Sequence, residues 1–368
     1  MKIIFVTNDI SYYGASRSLK ALIEALKDKF DKQLEIKLIV PKRLFRKNDL
    51  EQISLWFKIE KKDILEFPLP FYNNYKGNSK SLFHFIFNLK WRLFSLRFYN
   101  FLKKENFDIV HLNSLTLLRV CHPSFNMLLH VREILANKLD FKFIQDQLKY
   151  VERVIFIDEA VSSPFKDFSI KKQVILNNPF SMTHLENYNS TLEDEELIEK
   201  CRGKTVFSLI GKIHREKGIE FFIDIFNRLD SDEQILIVKG GGDSKYVKFV
   251  KGLAGKNIYF LDESPAVDGL YRITDYLLRG EEYPCIGRTT FEALYSGAKV
   301  ILPGSQDYYA GNMTDFNRFN SSIITYMPRN FSHLLNIIKT IEKTDKQSRQ
   351  MLSNTEEYAT AYFKFIRK

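Results

Sequence analysis

Two glycines bracket three cations in the run Gly211-Lys212-Ile213-His214-Arg215-Glu216-Lys217-Gly218. Lys212, Arg215 and Lys217 can offset the charge of a diphosphate, and the glycines let such a group approach the backbone. The same residues suit a solvated basic turn. In Asn8-Asp9-Ile10-Ser11-Tyr12-Tyr13-Gly14-Ala15-Ser16-Arg17-Ser18-Leu19, Gly14 lies just before a helical pattern, where free amides attract phosphate. A plain turn would use that glycine equally well, and the dinucleotide fingerprint G-x-G-x-x-G is absent. In the stretch from Gly280 to Ile301, Gly287, Arg288 and Thr289 approach a helix start and Glu292 falls in its first turn, placed to accept hydrogen bonds from ribose hydroxyls. Thr289-x-x-Glu292 is also a capping-box pattern. Asp230-Ser231-Asp232 follows a helical pattern and reads as a turn, so no metal site is expected.

The elements that would position these residues alternate strand and helix. Strands are predicted at 3–6, 34–40, 64–67, 108–112, 127–130, 154–157 and 174–176, with a first helix whose apolar positions Leu19, Leu22, Ile23, Leu26 and Phe30 keep one face. The pattern restarts near residue 205, with strands at 206–210, 235–238, 258–261, 276–278 and 300–302 and helices at 219–229 and 290–295. Parallel strands need long crossovers, so two such series predict an α/β protein with two doubly wound sheets and a ligand cleft between them. The boundary is expected at Asn177-Asn178-Pro179, giving domains 1–178 and 179–345. A polar, Glu-rich connector with a short exposed helix should follow it. Residues 346–368 are expected to form a helix packing back toward the first domain.

At 368 residues the chain is long enough for two cores, and 45% hydrophobic with 27% charged residues excludes a disordered tail protein. Cys121, Cys201 and Cys285 are far apart and form no C-x-x-C, which argues against a disulfide framework or structural zinc and for a reducing cytoplasm. The start Met-Lys-Ile-Ile-Phe-Val reads as a strand rather than a leader, and no apolar run is long enough for a membrane span.

Fifty-five Lys plus Arg against 45 Asp plus Glu leave a formal charge of +10, and 32 Phe with 18 Tyr make the chain rich in aromatics. Between Asn74 and Lys104 there are seven cations, Lys76, Lys80, Lys90, Arg92, Arg97, Lys103 and Lys104, and no acid, interleaved with residues such as Phe87, Leu89, Trp91, Phe94 and Phe98. A basic aromatic helix of this kind suits an anionic bilayer, with Lys90, Trp91, Arg92 and Arg97 at the surface. A core helix with a cationic outer face would read similarly. Nucleic acid is not an expected partner, because no helix-turn-helix, RNP-like or zinc motif accompanies the patch.

Taken in order, these stretches resemble the GT-B glycosyltransferases, in particular the retaining family four that uses nucleotide-sugar donors. Tyr13-Gly14-Ala15-Ser16-Arg17-Ser18-Leu19 stands in place of a Gly-Gly-Ala-Glu-like loop. Gly211, Lys212, Lys217 and Gly218 match Gly-Arg-x-x-x-x-Lys-Gly, and Glu292-Ala293-Leu294-Tyr295-Ser296-Gly297-Ala298-Lys299-Val300 matches the second half of Glu-x7-Glu-Ala-x-x-x-Gly-x-Pro-Val. Asp108-Ile109-Val110-His111-Leu112-Asn113-Ser114 and His130-Val131-Arg132-Glu133 resemble two further strand ends. Three departures stand out: Tyr13 replaces a first glycine, Lys212 replaces an arginine and so loses its bidentate fork, and Pro284 stands where the first glutamate belongs. Glu282 would reach that space through a shifted loop.

The resemblance implies two Rossmann-like domains facing a central cleft. The donor would lie on the second, its ribose near Glu292 and its diphosphate among Gly211, Lys212, Arg215, Lys217 and the Gly287-Arg288-Thr289 helix start, with Gly14 opposite. Lys217, His130 and Glu282 are the implied catalytic residues, and Arg17 and Arg132 would add charge near the acceptor or diphosphate. The implied reaction is metal-independent, needs no cofactor, and passes a sugar from a nucleotide sugar to a surface glycan or lipid-linked saccharide of capsule, O-antigen or lipooligosaccharide type. A bacterial enzyme peripheral to the inner face of the cytoplasmic membrane would fit. A nucleotide-sugar epimerase of the same fold and a catalytically silent glycan-binding or scaffold protein are the alternatives.

Overall fold

The computed structural model describes residues 1–10, 14–42, 48–70, 82–135, 141–187, 192–229, 233–264, 267–284, 286–341 and 350–367. Tyr13, Lys76, Lys80, Cys285 and the Asp230-Ser231-Asp232 triplet lie outside them. The chain divides into two compact units, Met1–Pro179 with Thr355–Lys368 and Phe180–Asn354.

Unit 1 runs β1 (Lys2–Val6), α1 (Gly14–Phe30), β2 (Glu35–Pro41), α2 (Leu50–Phe57), β3 (Ile64–Phe67), α3 (Leu82–Glu105), β4 (Ile109–Leu112), β5 (Met127–Val131), α4 (Phe141–Leu148), β6 (Arg153–Phe156), α5 (Glu159–Ser162) and β7 (Lys172–Ile175). Its strands are all parallel, in the order β3-β2-β1-β4-β5-β6-β7. A parallel sheet is covered on both faces, so its strands read as unbroken apolar runs, and Ile3 to Val6 have no solvent exposure. One face carries Leu19, Leu22, Ile23 and Leu26 of α1; the other carries Phe98 and Leu102 of α3.

Unit 2 comprises α6 (Leu192–Lys200), β8 (Thr205–Ile210), α7 (Ile219–Asn227), β9 (Gln234–Lys239), α8 (Ser244–Gly252), β10 (Ile258–Leu261), α9 (Asp268–Ile273), β11 (Tyr276–Leu278), α10 (Arg288–Tyr295), β12 (Lys299–Pro303), α11 (Gln306–Asn312), α12 (Phe316–Phe319), β13 (Ile323–Tyr326) and α13 (Phe331–Thr340). Its parallel sheet has the order β10-β9-β8-β11-β12-β13. Both sheets reverse winding direction beside their first strand, at β1/β4 and β8/β11. The crevice beyond the carboxyl ends at such a switch point is where open α/β sheets bind ligands.

The last helix, α14 (Thr355–Arg367), returns to unit 1, where Phe363 stacks on Phe30 at 4.1 Å and Tyr362 reaches His111 on the central strand β4. All twelve strands expected from sequence are present within two residues at either end; β13 was not expected, being a short edge strand after the polar Asn320-Ser321-Ser322.

Candidate functional site

In unit 2 the loops after β8 and β11 are pressed together by glycine. A Cβ on Gly218, at φ 65°, would lie 2.3 Å from the Gly280 carbonyl oxygen, and one on Gly280 would lie 2.6 Å from that of Lys217. Any larger residue would drive the loops apart. Their closeness brings Lys217 Nζ to Glu281 Oε1 at 2.5 Å. Arg279 donates to the same carboxylate through Nη2 (2.6 Å) and Nε (3.2 Å), and through Nη1 to Thr289 Oγ1 (3.1 Å). A Cβ on Gly287 would lie 2.2 Å from Arg279 Nη1, so that glycine keeps the path to Thr289 open. Gly211, Lys212, Lys217, Arg279, Gly280 and Glu281 together line a recess of ≈ 30 Å³ at the carboxyl ends of β8 and β11.

Glu281 is 3% exposed. Burial alone would raise its pKa, but the charges of Arg279 and Lys217 and their hydrogen bonds outweigh it and hold the carboxyl at about 2. The recess therefore has three cationic side chains against one permanent carboxylate, a surplus of positive charge where a phosphate oxygen would sit.

Several expected members stand elsewhere. Arg215 is not among the residues lining the recess; its guanidinium lies 5.5 Å from the Tyr246 ring, beside α8. Glu292 is not open to a ribose: it has no solvent exposure, Tyr271 Oη donates to one of its oxygens at 2.6 Å and Arg288 Nε to the other at 2.7 Å. Nor does it close a capping box, because α10 has Gly287 at its N-cap with no side-chain cap. Glu292 instead orients Arg288, whose guanidinium lies 4.8 Å from the Phe180 ring. Glu282 does not reach the missing glutamate's place; it is exposed and pairs with Arg329 Nη2 at 3.0 Å, while Glu281, its neighbour, turns inward. Pro284 packs toward Gly304, where a Cβ would lie 2.7 Å from its Cγ.

Unit 1 carries a fixed cation at its own carboxyl edge. Arg132, just after β5, donates through Nε to Asn113 Oδ1 (2.9 Å), through Nη1 to Asn178 Oδ1 and through Nη2 to His130 Nδ1 (3.2 Å). Asn113 Nδ2 in turn donates to the Ala15 carbonyl oxygen (3.2 Å) at the start of α1. The ends of β4, β5 and β7 and the α1 N-terminus are thereby tied together. Gly14 adopts φ 32°, which favours glycine, and a Cβ there would meet nothing within 4 Å. Arg17 sits half-buried on the first turn of α1.

His130 does not present its ring to a ligand. It is fully buried, and burial first, then Arg132 and His111, hold its pKa well below the usual imidazole range. Since an arginine only donates, His130 Nδ1 must accept, which puts the proton on Nε2, a buried atom with no partner. His111 behaves similarly: burial and Arg132 lower its pKa, and its Nδ1 lies 2.6 Å from Tyr362 Oη. His130 is a neutral support for Arg132.

On α3, Trp91 is not at the surface. It is 6% exposed and packs edge-on against Phe98 at 5.2 Å, because position 91 shares the inward face with 98 and 102. Lys90 is half-buried, whereas Arg92 and Arg97 are exposed. No helix among the described residues is long and apolar enough to cross a membrane.

No protein-family model matches the chain, and no curated protein matches it in sequence. Solved structures match over nearly its whole length. Anabaena HepE in complex with UDP superposes with a TM-score of 0.66 at 18% identity, covering 99% of this chain and 96% of its own. A glycosyltransferase from Rickettsia africae gives 0.66 at 17% identity, covering 99% and 94%. The chain has the GT-B fold. Trehalose-6-phosphate synthase OtsA, at 9% identity, shares it with a TM-score of 0.71 over 100% of this chain and 99% of its own.

Within the GT-B frame, Gly211, Lys212 and Lys217 of the residues expected from sequence line one recess, and Gly287 stands behind it against Arg279, whereas Arg279, Glu281 and Tyr271 were not anticipated. The signal for the first two was available: Arg279-Gly280-Glu281 places opposite charges directly after the apolar β11 run, at a strand's carboxyl end. Tyr271 carried none, since an aromatic on a short helix reads as core.

Proposed function

We propose that this GT-B protein is a glycosyltransferase that passes a sugar from a nucleotide-sugar donor to a surface glycan or lipid-linked saccharide, with retention at the sugar carbon and without a metal ion. The observation that carries the reading is the cationic recess at the β8/β11 switch point, lined by Lys212, Lys217 and Arg279, the last two held on a buried carboxylate, beside glycines that expose the backbone. Breaking the bond between sugar and nucleoside diphosphate leaves negative charge on the diphosphate, and fixed cations there stabilise it in the transition state more than in the ground state. Structures of HepE with UDP and with UDP-glucose support a nucleotide sugar as donor. Arg132, locked by three partners, gives unit 1 a fixed charge of its own, suited to a phosphate or carboxylate on the acceptor. In this reading the enzyme works against the inner face of the cytoplasmic membrane and needs no cofactor.

Pro284 and the outward Glu282 favour a second reading, a GT-B protein that binds nucleotide or glycan without transfer. Incubation with a panel of UDP- and GDP-sugars, with and without lipid-linked saccharides, separates these. Acceptor-dependent release of nucleoside diphosphate is expected. Epimerised donor without transfer, or nucleotide binding without any turnover, would replace the proposal.

A further inference from the structure

Helix α3 turns Trp91, Phe98 and Leu102 into the core, yet its opposite face is not polar. Leu89, Leu93 and Leu96 are 47%, 70% and 73% exposed, and at about 100° per residue they lie together on the outward crown of the helix. Arg92 lies on one flank of that crown, and Lys90 and Arg97 on the other. Among the described residues no carboxylate pairs with any of these three cations, and the sequence has no acid between Asn74 and Lys104. A solvated helix would put its charges on the crown. Leucines there with cations on both sides match the boundary between acyl chains and head groups, where long cationic side chains reach sideways to phosphate.

Beside the crown, between α3 and α4, lies a cavity of ≈ 470 Å³ lined by Asn88, Leu89, Trp91, Arg92, Arg119, Phe143 and Gln147. Its wall joins two arginines and two amides to apolar and aromatic surface. Asn88 Oδ1 is buried and accepts no hydrogen bond. Arg119 is braced with its guanidinium 4.8 Å from the Phe143 ring. On α4 the half-buried Asp146 is engaged by Lys149 at 2.6 Å, so that carboxylate already has a countercharge. An oxygen-rich anion attached to an apolar chain has a counterpart for each part here: guanidinium for phosphate, amide for glycerol hydroxyl, and leucine and indole for the chain.

The geometry points to a membrane-docking face in unit 1: the Leu89/Leu93/Leu96 crown enters the outer acyl region of an anionic bilayer while the α3–α4 cavity receives the phosphate head group of one lipid. This deepens the membrane part of the proposed function and does not require the transfer reaction, because vesicle binding is read without donor and nucleotide binding without vesicles.

Sedimentation of the full chain with vesicles tests it. Phosphatidylcholine containing one anionic lipid, phosphatidylglycerol, should bind the protein in a salt-sensitive way, and phosphatidylcholine alone should leave it in solution. Leu93→Glu with Leu96→Glu, both at exposed positions and therefore compatible with folding, should weaken binding at least tenfold. Arg119→Gln should weaken it severalfold while leaving nucleotide affinity unchanged. Glycerol phosphate in solution should not compete at millimolar levels if the bilayer is the source of the head group; full competition by it would assign the cavity to a soluble phosphate ester instead. Equal binding to both vesicle types, wild-type binding by the double leucine variant, or no binding to either would overturn the inference.

Discussion

The Glu281 carboxylate and the Lys217 ammonium, separated by 64 residues of sequence, meet at 2.5 Å because two glycine backbones touch behind them. Arg279 closes the cluster from the other side. This internal anion keeps two cations aimed at one small recess before any ligand arrives, so less ordering is left to be done on binding.

Removing that anion should destabilise unit 2. Glu281→Gln leaves Arg279 and Lys217 facing each other without a countercharge, at a cost of roughly 2–4 kcal/mol, less than for a fully buried pair because Lys217 reaches solvent. The sign with pH follows from the lowered pKa. Glu281 contributes its full stabilisation above the ordinary carboxyl value and loses it as pH falls toward about 2. Urea unfolding should therefore separate wild type from Glu281→Gln widely at pH 6 and progressively less between pH 4 and pH 2.

Glu282 gives the contrasting case. Its exposed pair with Arg329 is of the kind worth under about 1 kcal/mol, so Glu282→Gln should leave both stability and turnover within about twofold of wild type. A large loss of turnover would show that the loop carrying Glu282 turns inward during catalysis.

Tyr271→Phe should cost about 1.5–3 kcal/mol, the range for a hydrogen bond to a charged group, because it removes the buried hydroxyl that donates to Glu292 Oε2. Denaturant midpoints measure the cost. If Arg288 takes part in donor binding, the affinity for UDP should fall as well, since Glu292 is what orients that guanidinium.

His111 and His130 are held neutral by burial and by Arg132, with pKa values well below the usual range. Unfolding lets both take up protons below about pH 6.5, so stability should drop as pH falls from there, by at most about 1.4 kcal/mol per pH unit for each imidazole. His130→Gln keeps an acceptor for Arg132 but no titration, and should remove about half of that slope. An unchanged slope would place the titrating groups elsewhere.

Much of the fold was legible because parallel strands buried on both faces leave uninterrupted apolar runs such as Ile3-Ile4-Phe5-Val6, separated by polar turns and by helices with one apolar face. The site was legible in part. Charge and glycine spacing located Lys212, Lys217 and Gly287, all within one or two residues of a strand end or helix start. Which of two adjacent glutamates turns inward was not, since Glu281 and Glu282 are chemically identical and the partners that part them, Lys217 for the first and Arg329 for the second, are distant in sequence. Trp91 misled for a related reason: a basic, aromatic run fixes that a helix is amphipathic, but with apolar residues all round, the inward face depends on what the sheet offers beneath it. Likewise Glu292 fell in the right register yet is occupied by Tyr271, a partner 21 residues away that no local pattern announces.

Calorimetric titration of the full chain with UDP and with GDP tests the central claim, that the Lys212/Lys217/Arg279 recess binds a nucleoside diphosphate. Saturable binding of at least one nucleotide is predicted, with affinity at least about tenfold lower in Lys217→Ala, the loss of one charge-assisted hydrogen bond worth about 1.5–3 kcal/mol. No binding of either nucleotide, or binding that Lys217→Ala leaves intact, would contradict it.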